Sequence, residues 1–211
     1  RKQLLNGNGF VLGVSGSGKS FTAKREITAL ALSTQDDILI IDPESEYKEM
    51  CQKLSGDWIS ATGGFKGRLN PLQVLPSPRD DEEEPEENRL YRDEGYGIND
   101  LAMHLKNLDI WFGLYLPSLS DMQKATLKRC LVELYAQFRI DWDTDILELE
   151  AKDFPVFTDL YLLLKSRAEE QPGEIVYKEL LNLLYDLVYG ADSFIWNGHS
   201  TVASSARFLV L

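Results

Sequence analysis

Eight consecutive residues, Gly13-Val14-Ser15-Gly16-Ser17-Gly18-Lys19-Ser20, constrain this chain more than any other stretch. They match G-x-x-x-x-G-K-[ST], the loop that wraps an anion with backbone N–H groups. Such a wrap needs unusual dihedrals and little side-chain bulk. Gly13, Gly16 and Gly18 supply both. A chance match in a chain of this length is expected about 1% of the time, given ordinary residue frequencies. The motif also demands a strand before it and a helix after it. Phe10-Val11-Leu12-Gly13-Val14 is a short apolar run, expected as the strand. From Lys19 to Leu32, Phe21, Ile27, Leu30 and Ala31 recur at helical spacing. The helix would aim its positive amino end at the anion. Lys19 is then placed to reach the β- and γ-phosphates, and the Ser20 hydroxyl to ligate Mg²⁺.

Other glycine patterns fail. A dinucleotide-type G-x-G-x-x-G would need glycine where Phe21 or Leu12 stands. That argues against a Rossmann cofactor and against a kinase-type loop.

Ile38-Leu39-Ile40-Ile41 reads as a second, buried parallel strand, and Trp58-Ile59-Ser60-Ala61 as a short third. The β-α-β order predicts a parallel sheet with crossover helices. Asp42-Pro43-Glu44-Ser45-Glu46-Tyr47 follows the second strand directly. Ligands of α/β sheets sit at strand carboxyl ends, so Asp42 should lie on the phosphate side. Two readings stay open. Either Asp42 or Glu44 holds the Mg²⁺ or its water shell, or this cluster is a neighbouring motif and the acidic strand lies elsewhere.

Residues 76–98 break the rhythm with prolines, glycines and the acidic run 80–87. The expectation is a solvated loop. From Asn99 to Gly190 the pattern is helical. Leu101, Leu105, Leu108, Trp111 and Phe112 form one stripe. Ser120 to Gln123 fits a capping box ahead of Leu127, Leu131, Leu134 and Phe138. Phe157–Arg167 and Ile175–Tyr189 are two more expected helices, the second closed by Gly190. Phe194 to Gly198 reads as a turn, and Phe208 to Leu211 returns to strand character.

Net charge is −12 over 211 residues, but residues 80–87 hold seven of the negative charges and the remainder is only −5. No basic face suited to a nucleic-acid backbone is visible. No apolar run approaches the roughly 18 residues that span a bilayer. Cys51 and Cys130 lack metal or disulfide spacing and read as ordinary thiols. His104 and His199 lack ligand partners and read as core or surface residues. Trp111, Phe112 and Tyr115 read as helix packing rather than a base-stacking platform. The chain starts without Met and its last residues, Arg207 to Leu211, read as a strand cut mid-pattern. It is therefore expected to be a piece of a longer protein.

The stretch Asn6 to Ser20, then Lys24-Arg25-Glu26, then Ile40-Ile41-Asp42-Pro43-Glu44-Ser45-Glu46-Tyr47, resembles the large cytoplasmic ATPase of conjugative type IV secretion systems, in its Gram-positive conjugative-element version. Asn70-Pro71-Leu72 and Phe194-Ile195-Trp196-Asn197-Gly198 fall where that family has an Asn-Pro-Leu and a Phe-Asn-Gly turn. The resemblance implies a P-loop NTPase with a partial RecA-like parallel sheet core of the HerA–FtsK type and an all-α inserted subdomain. The division it suggests is core over 1–75, acidic linker over 76–98, helical insertion over 99–190, and return to the core sheet over 191–211. It implies ATP and Mg²⁺ as cofactors, with Gly13, Ser15, Gly16, Ser17, Gly18, Lys19, Ser20 and Phe21 holding nucleotide. Ser20 would take the metal, and Lys19, Asp42 and Glu44 the catalytic roles; Glu46 shares the second motif. It further implies hexamers, other secretion components as partners, and a place at the inner face of the membrane reached through those partners. The family's acidic strand and catalytic glutamate would lie beyond residue 211, so hydrolysis by this piece alone is expected to be weak or absent. Where the family carries glycine in its Asp-Pro-Glu-Gly-Glu-Tyr run, this chain has Ser45. Alternatives are a DNA-pumping translocase or coupling protein of the same superfamily, and an interaction module that nucleotide merely stabilises.

Overall fold

The computed structural model describes residues 8–60, 67–76, 99–202 and 206–211. The acidic run 80–87 lies outside them. The chain forms two compact units, residues 1–60 with 203–211 and residues 61–202.

The first unit is α/β. Strands β1 (Ile38–Ile40), β2 (Asp57–Trp58) and β3 (Phe208–Val210) form a parallel sheet in the order β1-β3-β2. Ile38 pairs with Phe208 and Ile40 with Val210; on the other side Trp58 pairs with Val210. The C-terminal residues thus supply the middle strand, and Phe208 and Val210 are buried. Helix α1 (Lys19–Ser33) follows the glycine loop, and α2 (Lys48–Lys53) links β1 to β2. Ile27, Met50 and Leu54 pack on the small cluster of Cys51, Phe208 and Val210. Gly56 is required by contact, since a Cβ there would lie 2.6 Å from Phe208 O.

Two expectations need correcting. No strand forms over residues 10–14; Phe10 and Leu12 are 92% and 90% exposed. An apolar run becomes a strand only when a neighbour takes its backbone donors and acceptors. None of the three described strands does so. Phe21, expected on the packed stripe of α1, is 74% exposed, and no residue of α1 is fully buried.

The second unit is helical. It contains α3 (Asp100–Tyr115), α4 (Asp121–Gln137), α5 (Phe157–Glu170), α6 (Ile175–Leu183), α7 (Tyr185–Tyr189) and α8 (Ser193–Trp196). Turns of 3₁₀ helix at Ile146–Glu148 and Ala151–Asp153 join α4 to α5. Leu101, Leu108 and Phe112 are buried, with Leu105 and Trp111 half-buried beside them. Ser120 Oγ accepts from Gln123 N at 3.3 Å and Ser120 N donates to Gln123 Oε1 at 2.9 Å, the expected reciprocal cap. Trp111 stacks on Tyr115 and Phe157 and meets Trp196 edge-on, so these rings are packing groups. The expected single helix 175–189 is broken at Leu184 into α6 and α7. Gly190 does end α7, but in extended conformation. Its need for glycine is steric, because Asp186 folds over it and a Cβ would overlap that carboxylate.

Both family-like segments belong to this unit, but Phe194 to Trp196, expected as part of a turn, form most of the short helix α8. Asn70 is buried; its Nδ2 donates to Pro155 O at 2.9 Å and its Oδ1 accepts from Leu72 N at 3.0 Å. Asn197 Oδ1 accepts from Thr158 N at 3.0 Å, so it satisfies a free donor in the first turn of α5. Val156, which precedes that helix, has no side chain able to do so. Leu72 and Val74 join the helical core. His104, on the buried face of α3, meets Tyr135 at 2.9 Å from Nε2. Tyr135 Oη donates to Leu72 O at 2.7 Å, so it accepts from His104, which assigns the proton to Nε2. Burial drops the His104 pKa to about 4 and raises that of Tyr135. His199 is exposed. Cys51 and Cys130 are buried and free.

Candidate phosphate-binding site

The glycine loop has the backbone its sequence demands. Gly16 and Gly18 sit at φ 78° and 86°, where a side chain is strained. A Cβ at Gly13 would lie 2.5 Å from Ser17 Oγ, so a side chain there would make Ser17 turn aside. Ser17 N closes the loop on Val14 O at 3.2 Å. Gly18 precedes α1 and provides no side-chain cap, and no acidic residue stands in the first turn. The amino end of α1 therefore keeps its donors and its partial positive charge uncompensated, which suits an anion. Lys19 Nζ lies among the loop carbonyls, donating to Gly13 O at 2.7 Å and Val14 O at 2.9 Å. Ser15, Gly16, Ser17, Gly18 and Ser20 are exposed, so a ligand can reach the whole loop.

Two polar ties orient α1 on the sheet. Near its start, Lys24 Nζ stands 3.8 Å from Glu46 Oε2 and 5.1 Å from the Tyr47 ring centroid. Glu46 and Tyr47 follow the carboxyl end of β1. At its end, Arg207, just ahead of β3, donates to Ala31 O at 2.7 Å and also to Thr34 O. The helix thus runs antiparallel to the strands. Its amino end, with the glycine loop, lies toward the strand carboxyl ends, where α/β proteins bind ligands.

Asp42 is buried at that same end. Its Oδ2 accepts from Tyr47 N at 2.8 Å, its carbonyl accepts from Ser45 N at 3.2 Å, and its N donates to Leu211 O at 2.8 Å. Asp42 thus closes its own loop as well as lying on the candidate face. Glu44 is exposed and Ser45 adopts φ 57°. That left-handed backbone explains why glycine suits this position. Burial, followed by the Glu46 and Asp42 charges, raises the Tyr47 pKa. Phe21 lines a cleft of about 550 Å³ between α1 and α2, with Lys24, Thr28, Glu46 and Met50. No cluster of three or more potential metal ligands occurs among the described residues.

Residues 9–186 match the family described as "Helicase HerA, central domain" (DUF87). The chain belongs to that family. Among solved structures it is similar to VirB4 of Thermoanaerobacter pseudethanolicus, with 39% identity and a TM-score of 0.80 over 94% of this chain and 47% of that one. It spans about half the length of that protein. No sequence among curated proteins matches it. The likeness to VirB4 covers 94% of this chain, and the fold is that of a P-loop NTPase with a partial RecA-like parallel sheet. Among the described residues no helix is long and apolar enough to cross a membrane.

Sequence reasoning, which read Arg207 only as the start of a terminal strand, did not foresee its role. It stands before the central strand and caps α1. Nor did it foresee α2 or the Lys24–Tyr47 contact. Those depend on which segments meet, although Lys24 and Tyr47 both fall in stretches that carry the resemblance.

Proposed function

We propose that Gly13 to Ser20 binds the phosphates of ATP, and that the chain is the nucleotide-binding part of a motor that energises DNA or protein transfer, or channel assembly, in conjugative type IV secretion. The observation that supports this most is the uncapped amino end of α1 behind a loop with two glycines at positive φ. In this reading loop amides and Lys19 hold the β- and γ-phosphates, with the Lys19 ammonium leaving the Gly13 and Val14 carbonyls. Ser20 would hold Mg²⁺, which supplies charge neutralisation at the phosphates. Ser15, Ser17 and Phe21 complete the nucleotide contacts. Asp42 and Glu44 are the acidic groups proposed for the metal's water shell. The helical unit acts as an insertion in the motor core. Homo-oligomerisation, secretion-system partners and a position at the inner membrane face belong to the same proposal, as does dependence of turnover on acidic groups outside this chain.

ATP affinity of the chain with and without Lys19→Ala tests this. A loss of about 100-fold is expected, since one charge-assisted contact to phosphate is removed. Equal affinity overturns it. The family's description as a helicase favours one second reading, DNA pumping. Tight, salt-sensitive duplex binding by the full-length protein would select it.

A further inference from the structure

Helix α1 carries Lys19 and Ser20, and two polar ties hold it in the α/β unit. Arg207 makes the stronger of the two described above. Its own carbonyl accepts from Ile38 N at 2.7 Å, which locks its backbone between β1 and β3. Its guanidinium then reaches across to the end of α1. Nη2 donates to Ala31 O at 2.7 Å, and Nη1 to Thr34 O and, at 3.2 Å, to Gln35 Oε1. These acceptors lie in and just beyond the last turn, where helix carbonyls lack partners and the dipole is negative. Arginine suits the place because its planar fork serves several acceptors in fixed directions, which a lysine ammonium does not.

We propose that Arg207 is a positioning residue for nucleotide binding: by fastening the carboxyl end of α1 to the central strand, it sets where the amino end presents Lys19 and the loop amides. This rests on the reading of Gly13 to Ser20 as an ATP site. Fifteen residues make a rod of about 22 Å. A tilt of about 5° at the fastened end therefore moves the phosphate-binding end by about 2 Å. Displacements of that size at a phosphate site carry large losses in affinity and rate.

The test uses the full-length protein, comparing wild type, Arg207→Met, Arg207→Lys and Lys19→Ala. ATP Kd is measured by titration, and amide hydrogen exchange is followed with and without saturating ATP. Arg207→Met is expected to raise the ATP Kd about tenfold and to speed exchange in α1. Saturating ATP should restore α1 protection, because binding and helix placement are linked reciprocally. Exchange in β1, β3 and the helical unit should stay as in wild type. Arg207→Lys, the milder change should Arg207→Met fail to fold, is expected to raise the Kd about threefold. An unchanged Kd in the folded Arg207 variants, with binding lost in Lys19→Ala, overturns the proposal. So does a raised Kd accompanied by faster exchange throughout the sheet, the mark of a purely structural role. Wild-type ATP affinity in Lys19→Ala would instead overturn the phosphate-loop reading itself.

Discussion

The two units of this chain hold themselves together in different ways. The helical unit has a continuous apolar core, from Leu101 and Phe112 on α3 through Leu134 on α4 to Leu164 on α5 and Leu180 on α6. The α/β unit has a cluster of three buried residues, Cys51, Phe208 and Val210, with half-buried neighbours. The candidate phosphate loop, Gly13 to Ser20, belongs to the α/β unit. Elements that must respond to a ligand are drawn from the less stable end of a structure. The contrast is between a body fixed by burial and a site fixed by backbone geometry and a few polar ties.

The largest expected effect separates the two. Phe157 is buried against Trp111 and Phe112. Phe157→Ala should destabilise the helical unit by about 3–5 kcal/mol. Truncating Ile27, half-buried on α1, should cost only about 1 kcal/mol. Denaturant unfolding of the two variants checks this. Equal costs would erase the distinction between the units.

A pH dependence follows from His104. Its folded pKa of about 4 lies below the ordinary 6.5, so the unfolded chain binds the proton more readily. Its contribution, about 3 kcal/mol from that difference, is present above pH 6.5 and is lost as pH falls toward 4. His104→Gln should flatten this part of the stability profile of the helical unit. Unfolding midpoints between pH 7 and pH 4 measure it. An unchanged slope would show that the ring is not buried neutral.

Smaller effects test single capping and turn residues. Asn197→Ala removes the acceptor for Thr158 N and should cost about 1–2 kcal/mol. Urea unfolding would read it, and a null effect would mean another group caps α5. Ser45→Gly relieves the φ 57° backbone of the Asp42 loop. The expected gain is about 1 kcal/mol or less, since glycine also loosens the unfolded chain. A thermal shift of the α/β unit would show it, and a loss of stability would mean that the serine hydroxyl contributes there.

Much of the helical unit was legible beforehand, because apolar periodicity and caps act over a few residues. The Leu101–Phe112 stripe and the Ser120 cap appear as expected. The break at Leu184 does not, because a helix of fitting periodicity bends or stops according to what it packs on. His104 illustrates the same limit. It sits at core spacing between Leu101 and Leu108, but its partner Tyr135 is 31 residues away.

At the candidate site the division is sharper. Eight adjacent residues by themselves determined the loop: only glycines tolerate its dihedrals and its tight approach, and the lysine and serine follow in fixed order. Backbone geometry is local, so it is written locally. Which strand would stand in the middle of the sheet, that Phe10 to Val14 would find no partner among the described strands, and that Arg207 would reach the end of α1 were decided by tertiary structure. A strand exists only through its neighbour, and a brace only through both of its ends. Those ends lie far apart along the chain, and only folding brings them within hydrogen-bonding distance.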